Sequence, residues 1–179
     1  MKNLILLLFT IAFFSSCDTS EKEPLSKKQQ AQHRVDSLEN LFAQSLQKSK
    51  KLDIKLAMYA IQAYEYYAAD YPEDPESAQY LFKAAYNYQN ILGNHRKAVR
   101  LYEKVYNDYP EYENRPMMLF HLGNAYSELQ DTTNAIGKLK LFIESYPGHD
   151  FADDAEGLIR FMRLSEEELD EFFGKKEVQ

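Results

Sequence analysis

The sequence predicts an all-α protein, a short solenoid of about three antiparallel helix pairs with a C-terminal capping helix. A tyrosine-proline mark occurs three times, at Tyr71-Pro72, Tyr109-Pro110 and Tyr146-Pro147, and successive tyrosines are 38 and 37 residues apart. Such a period is typical of helical-hairpin repeats. Composition agrees, because Val, Ile and Thr together number only 13 from residue 17 onward, and strands are rich in these residues.

Each mark predicts the end of a helix, because proline cannot continue one. Apolar residues at helical spacing precede the second and third marks. They predict two second helices, carrying Ala98, Leu101, Tyr102 and Val105, then Ala135, Leu139 and Phe142. The same spacing predicts two first helices, carrying Leu81, Ala85, Tyr88 and Leu92, then Leu119, Leu122, Gly123, Tyr126 and Leu129.

A further helix pair and two terminal helices complete the prediction. Upstream, a helix from about Arg34 to Lys50 precedes one that Asp53 caps and that runs to Tyr71. Downstream, Phe151 to Met162 reads as an amphipathic helix that covers the last pair. A capping box at residues 165–168 opens a short helix. The repeat domain is therefore residues 34–162, followed by a short helix and tail at 163–179.

The stretch LFHLGNAYSELQDTTNAI, residues 119–136, resembles the tetratricopeptide repeat in the spacing of its Leu, Gly, Tyr and Ala. Gly123 and Ala135 stand where two helices are expected to cross closely. The preceding unit departs from the pattern by one extra residue before Gly93. The resemblance implies a right-handed solenoid whose first helices line a concave groove for a protein or peptide. The implied groove residues are Gln79, Phe82, Lys83, Tyr86, Met117, Phe120, His121 and Asn124. The alternative is that these residues pack against the N-terminal helix.

The N-terminus resembles a bacterial lipoprotein leader. Lys2, an apolar run over residues 4–14 and the sequence Ser15-Ser16-Cys17 predict an export signal over residues 1–16. Cys17 would be the lipidated first residue, and residues 17–33 a flexible tether. This predicts a domain anchored in the cell envelope, with the outer membrane favoured, facing the periplasm or the cell surface. The alternative is an ordinary secreted protein with one spare thiol.

These features predict a non-catalytic adaptor, similar to outer-membrane assembly lipoproteins and to repeat proteins associated with the Tol-Pal system. The alternative is an envelope binder or enzyme for a small ligand such as a cell-wall fragment. The net charge of −7, with no run of Lys or Arg to reverse it locally, argues against nucleic acid. No catalytic or cofactor motif is legible, and the acidic residues around His149 read as the first turn of a helix rather than a metal site. The oligomeric state stays open.

Overall fold

The computed structural model describes residues 24–174, and within that range the chain forms eight helices and no strands. The predicted all-helical solenoid is confirmed. In chain order the helices are α1 (Lys27–Ser49), α2 (Ile54–Asp70), α3 (Pro75–Asn90), α4 (His95–Asp108), α5 (Arg115–Glu128), α6 (Thr132–Ser145), α7 (Ala152–Phe161) and α8 (Glu166–Gly174).

Local signals set most helix boundaries. The side chains of Asp53, Asp74, Asn94 and Asp131 each accept a hydrogen bond from a backbone N–H in the first turn of the helix that follows. The second helices all end in one conformation, with φ of −132°, −126° and −137° at the three tyrosines of the Tyr-Pro marks. Each of these tyrosines donates its backbone N–H to the carbonyl four residues earlier. We call these three sites the Tyr-Pro corners.

The helices stack in sequence order. Each helix from α1 to α6 packs against the next, and α3 also touches α5, as expected when successive hairpins lie side by side. Buried apolar side chains from Val35 in α1 to Ile159 in α7 form one continuous core. Each pair therefore buries its apolar sides against its neighbours rather than alone.

Gly123 lies where α5 crosses α6. A Cβ atom built there would lie 2.6 Å from Leu139 Cγ and 2.8 Å from its Cδ2, closer than real carbon contacts. Ala135, which was predicted small for the same reason, is fully buried. The close approach of the two helices therefore requires glycine at this position.

The extra residue before Gly93 lies in the turn between α3 and α4. The Asp131 N–H bonds the Tyr126 carbonyl five residues back, whereas the Asn94 N–H reaches six residues back, to the Tyr88 carbonyl. Gly93 takes a left-handed φ of 60°, as Gln130 does in the equivalent turn. The insertion therefore widens one turn and leaves both helices intact.

The predicted tether boundary is wrong at its C-terminal end, because residues 27–33 form the first turns of α1. Ser26 Oγ accepts from the Gln29 N–H and Gln29 Oε1 accepts from the Ser26 N–H, a capping box that starts the helix early. Ala31 packs against the core, and Lys28 pairs with Asp74 at the start of α3. Because of these contacts, α1 begins earlier in the chain than the spacing of its apolar residues indicated.

Cys17 and the predicted leader lie outside the described residues. Over residues 24–174, no helix has the length and apolar character needed to cross a membrane.

Candidate functional site

The side of the stack that the first helices form, which the resemblance to tetratricopeptide repeats implies is concave, carries an open groove of about 460 Å³. The first helices α1, α3 and α5 supply most of its lining and α2 closes one side, as a tetratricopeptide-like stack implies. The residues that line it are Glu39, Phe42, Ala57, Ala60, Tyr64, Phe82, Lys83, Tyr86, Asn87, Asn114, Met117 and His121.

Aromatic rings form the floor and one wall of the groove. The His121 ring lies parallel to the buried Tyr102 ring at a centroid distance of 6.1 Å. Phe82 contacts both rings, with centroids 5.8 Å from each. Tyr86 meets His121 edge-on at 5.2 Å and remains 41% exposed. The groove thus presents a mainly apolar surface to solvent, with Tyr86 as its most exposed ring.

Burial controls the charge state of this aromatic floor. Desolvation lowers the pKa of His121, which favours the neutral imidazole. Desolvation also raises the pKa of the Tyr102 hydroxyl, which donates a 3.0 Å hydrogen bond to Gln89 Oε1. The floor is therefore uncharged at neutral pH, which suits an apolar ligand.

Glu39 of α1 forms the polar end of the groove. Its Oε1 accepts hydrogen bonds of 2.7 Å from Lys83 Nζ and 2.7 Å from the Tyr64 hydroxyl. These bonds tie α1 to α2 and α3, so α1 is a wall of the groove and does not fill it. Burial and the bond to Glu39 raise the pKa of Tyr64, which keeps its hydroxyl a donor.

Five of the eight groove residues expected from the sequence line this groove together: Phe82, Lys83, Tyr86, Met117 and His121. The other three do not. Gln79 accepts a 2.7 Å hydrogen bond from the Tyr112 hydroxyl in a neighbouring cavity, and Asn124, half-buried on α5, is outside the lining.

Phe120 is the clear correction, because it is only 7% exposed. The ring of Phe151, at the end of the α6–α7 connection, lies 5.1 Å from it, and that of Phe142 lies 5.7 Å away. Residues of α6 and of the start of α7 therefore cover Phe120 of the third helix pair. Phe82, at the equivalent position of the second pair, remains accessible.

The first helix pair also contributes to the lining, through Glu39, Phe42 and Tyr64, which the sequence pattern did not predict. The available signal was Phe42, an aromatic on the predicted first helix, 40 residues before Phe82. Because the spacing of apolar residues is irregular in the first helix pair, the equivalence of Phe42 and Phe82 is evident only from the structure.

A second cavity of about 530 Å³ lies between the first two Tyr-Pro corners. Its rim is acidic, with Glu73, Glu76, Asp108, Glu111 and Glu113. Across residues 24–174, no group of three or more His, Cys, Asp or Glu side chains is placed to hold a metal ion.

Stacked hairpins with an open concave groove define a helical-repeat scaffold, a class that offers an extended surface to a partner. Residues 79–112 and 118–149, which cover α4 and α6 and all but the first turn of α3 and α5, match the family model of the tetratricopeptide repeat. The second and third helix pairs are therefore similar to tetratricopeptide repeats, a family that generally mediates binding to protein partners. No curated protein matches the chain.

Proposed function

We propose that this protein is a non-catalytic adaptor of the bacterial cell envelope that binds a protein partner in its concave groove. The observation that supports this most is the open aromatic lining, in which Phe82, Tyr86 and Met117 come together although they lie on two different repeats. Exposed aromatic and Met side chains are enriched where proteins bind each other.

The chemistry of the lining favours an apolar segment of the partner, such as the apolar face of a helix. Tyr86 and Met117 offer contact surface, and neutral His121 adds no charge that would need to be desolvated. Lys83 and Glu39 form an ion pair at one end of the groove, where they can orient polar groups of the partner. Recognition by a helix in a groove uses this combination of apolar anchors and polar ends.

The envelope location rests on the N-terminal sequence. An apolar run that ends in Ser15-Ser16-Cys17 resembles a lipoprotein leader, and acylation of Cys17 would hold the domain at a membrane. Mass spectrometry of the protein from a bacterial envelope should find a chain that begins at an acylated Cys17. A chain that begins at Met1, or elsewhere without lipid, would contradict the anchor. Cys17→Ser should release the protein from membranes into the soluble fraction.

Roles in outer-membrane assembly or envelope maintenance are the biological setting we propose, by similarity to envelope lipoproteins built on such repeats. A photo-crosslinking amino acid in place of Tyr86 should capture the partner in living cells. The matched control carries the same amino acid in place of Arg100, an exposed residue of α4 outside the groove. Equal capture at both positions, or none at either, would argue against the groove as the binding site.

Substitution tests whether the captured partner depends on the lining. The double variant Tyr86→Ala/Met117→Ala should weaken binding by more than tenfold, because truncating two anchor side chains costs about 1–2 kcal/mol each. Tyr66→Ala is the control, since Tyr66 is an exposed tyrosine of α2 outside the groove. Binding affinity measured by calorimetry separates the two variants.

The alternative function, a binder or enzyme for a small cell-wall fragment, draws on one observation. A volume of about 460 Å³ falls within the range of small-molecule sites. A thermal-shift measurement with purified muropeptides distinguishes the two functions, because a ligand that binds the folded state raises its melting temperature. We expect no shift with the fragments and a shift with the partner segment.

A further inference from the structure

The turn between α1 and α2 forms an exposed tip that combines lysines with apolar side chains. We call it the hairpin tip, and it comprises Leu46, Lys48, Lys50, Lys51, Leu52, Ile54, Lys55 and Met58, all of them exposed. Because α1 has 23 residues, the tip lies roughly 34 Å from the start of that helix. It is separate from the lining of the concave groove.

The charge of the tip is opposite to that of the chain. Residues 48–55 contain four lysines and one aspartate, a formal net charge of +3 in a protein whose net charge is −7. The expectation that no local group of Lys or Arg reverses the overall charge is therefore wrong. Asp53 is included in this sum, and its carboxylate accepts the Leu56 N–H as the cap of α2.

The lysines of the tip are available to a partner. Within residues 24–174, the ion pairs involve Lys28, Lys83 and Lys104, so none of the tip lysines pairs with a carboxylate. Ser49 holds the backbone of the turn, with its hydroxyl donating to the Ser45 carbonyl at 2.7 Å. The Lys51 N–H donates to the same hydroxyl at 3.2 Å. The basic surface is thus presented by an ordered turn.

The apolar side chains of the tip are exposed to an unusual degree. Leu52 is 50% exposed, Ile54 45% and Met58 47%. They alternate with the lysines along the chain, and no helix among residues 24–174 covers them. Large apolar side chains that are exposed together indicate a site of contact with a protein or a membrane.

We propose that the hairpin tip docks on an anionic lipid bilayer. The lysine ammonium groups lie at the level of the lipid phosphates, and Leu52 and Ile54 enter the boundary between headgroups and acyl chains. This pairing of basic and apolar groups is typical of segments that lie on a membrane surface. A nucleic acid would use the lysines and leave the apolar side chains in water, so it fits the tip less well.

Docking of the tip does not require lipidation of Cys17. With an anchored N-terminus, however, the tip supplies a second contact at the far end of α1, and two contacts orient the stack on the membrane. The concave groove, which the tip does not line, then stays accessible to a protein partner.

A fluorescent label on the tip tests the proposal in the full chain. The chain contains one cysteine, so Cys17→Ser gives a cysteine-free background in which Leu52→Cys carries an environment-sensitive dye. Vesicles of phosphatidylglycerol and phosphatidylcholine should shift its emission to shorter wavelength, and vesicles of phosphatidylcholine alone should not. A matched label at exposed Asn107 should show no shift with either vesicle, which separates tip insertion from binding by the leader.

Charge variants provide the second measurement. Replacing Lys48, Lys50, Lys51 and Lys55 by Gln should weaken the partition that the dye reports by on the order of a thousandfold, since each lysine near an anionic surface contributes about 1 kcal/mol. The control replaces Arg96, Arg100, Lys140 and Arg160 by Gln, removing the same four charges from exposed positions elsewhere. We expect the control to bind like the parent chain, and added salt to release both.

Three results would overturn the proposal. They are no dye response to anionic vesicles, an equal response from the label at Asn107, and unchanged partition of the variant that lacks the four tip lysines. The rival occupant is a second copy of this chain, whose acidic cavity between the Tyr-Pro corners is complementary in charge. A dimer in solution that the tip variant abolishes, together with a silent dye on vesicles, would assign the tip to self-association instead.

Discussion

The Tyr109 hydroxyl donates a 2.8 Å hydrogen bond to the carbonyl oxygen of Pro72, thirty-seven residues earlier in the chain. The two residues belong to successive Tyr-Pro corners, so the bond connects equivalent points of neighbouring repeats. The regular spacing of the Tyr-Pro marks in the sequence therefore corresponds to a direct contact between neighbouring repeats in the structure. It links the ends of α2 and α4, at the edge of the acidic cavity.

Removing this hydroxyl should loosen the stack slightly. We expect Tyr109→Phe to lower the free energy of unfolding by about 0.5–1.5 kcal/mol, the net contribution of one hydrogen bond. Tyr71→Phe is the matched control, because Tyr71 occupies the equivalent corner and its hydroxyl bonds no other residue of the described range. Urea unfolding followed by circular dichroism measures both. Equal losses would mean that the bond to Pro72 contributes nothing.

The α5–α6 crossing should tolerate no side chain at residue 123. A methyl group there would meet Leu139, which is itself fully buried and has little room to move. We expect Gly123→Ala to destabilise the fold by about 1–3 kcal/mol, the usual cost of overpacking.

The control for this crossing is Gly137→Ala, an exposed position of α6 with nothing near the added methyl. It should stabilise the fold by about 0.5–1 kcal/mol, because alanine favours helices. Thermal melts decide the sign of each change, and a stabilised Gly123→Ala variant would disprove the close crossing.

Asp74 joins three helices, and its loss should cost more than the loss of an ordinary helix cap. It caps α3 through the Glu76 N–H at 3.0 Å, accepts the hydroxyl of buried Tyr67 at 2.7 Å and pairs with Lys28 of α1. We expect Asp74→Ala to lower stability by about 3 kcal/mol, since a cap is lost and a buried donor is left unsatisfied.

Asp131→Ala is the control for this junction. Asp131 caps α6, with its carboxylate bonds made only to Asn134, so about 1 kcal/mol should be lost. Chemical unfolding of both variants under the same conditions gives the difference. A loss at Asp74 no larger than at Asp131 would show that the bonds to Tyr67 and Lys28 are not important for stability.

The half-buried His121 predicts a pH dependence of stability. Desolvation lowers the pKa of His121 in the folded state, so the unfolded chain takes up this proton first as the pH falls through about 6.5. The free energy of unfolding therefore keeps its full value above that pH. Below it, the free energy of unfolding should decrease by up to about 1.4 kcal/mol per pH unit.

Unfolding measurements between pH 7.5 and 5 test this, in steps of about half a unit, within the window that the His reference pKa sets. His121→Gln should flatten the profile. His33→Gln, which removes an exposed histidine of α1, should leave it unchanged. A profile of His121→Gln that is as steep as that of the parent chain would assign the titration to another group.

The positions of the helices could be predicted closely because their boundaries depend on neighbouring residues. Asp53, Asp74 and Asp131 cap helices within a few residues of themselves, and the Tyr-Pro corners end them in the same way. The start of α1 was missed because the Ser26–Gln29 capping box stands in a polar stretch whose composition suggested a tether. Packing of Ala31 and the Lys28–Asp74 pair then stabilise those early turns.

The candidate groove could be predicted only in part. Phe82 and Phe120 occupy equivalent places in two repeats, 38 residues apart, and the sequence treats them alike. In the structure Phe82 lines the groove, whereas Phe151 covers Phe120. A repeat pattern specifies the position of a residue on its own helix and carries no information about what lies above it.

By itself, therefore, the sequence determined that the chain is helical, where most of its helices begin and end, and that its units stack with a period near 38 residues. The tertiary structure alone decided which aromatic rings stay exposed, that Glu39 and Phe42 of α1 complete the groove, and that the lysines of residues 48–55 meet exposed apolar side chains at one tip. The reason is that capping and proline act over a few bonds, whereas exposure depends on contacts between residues far apart in the chain.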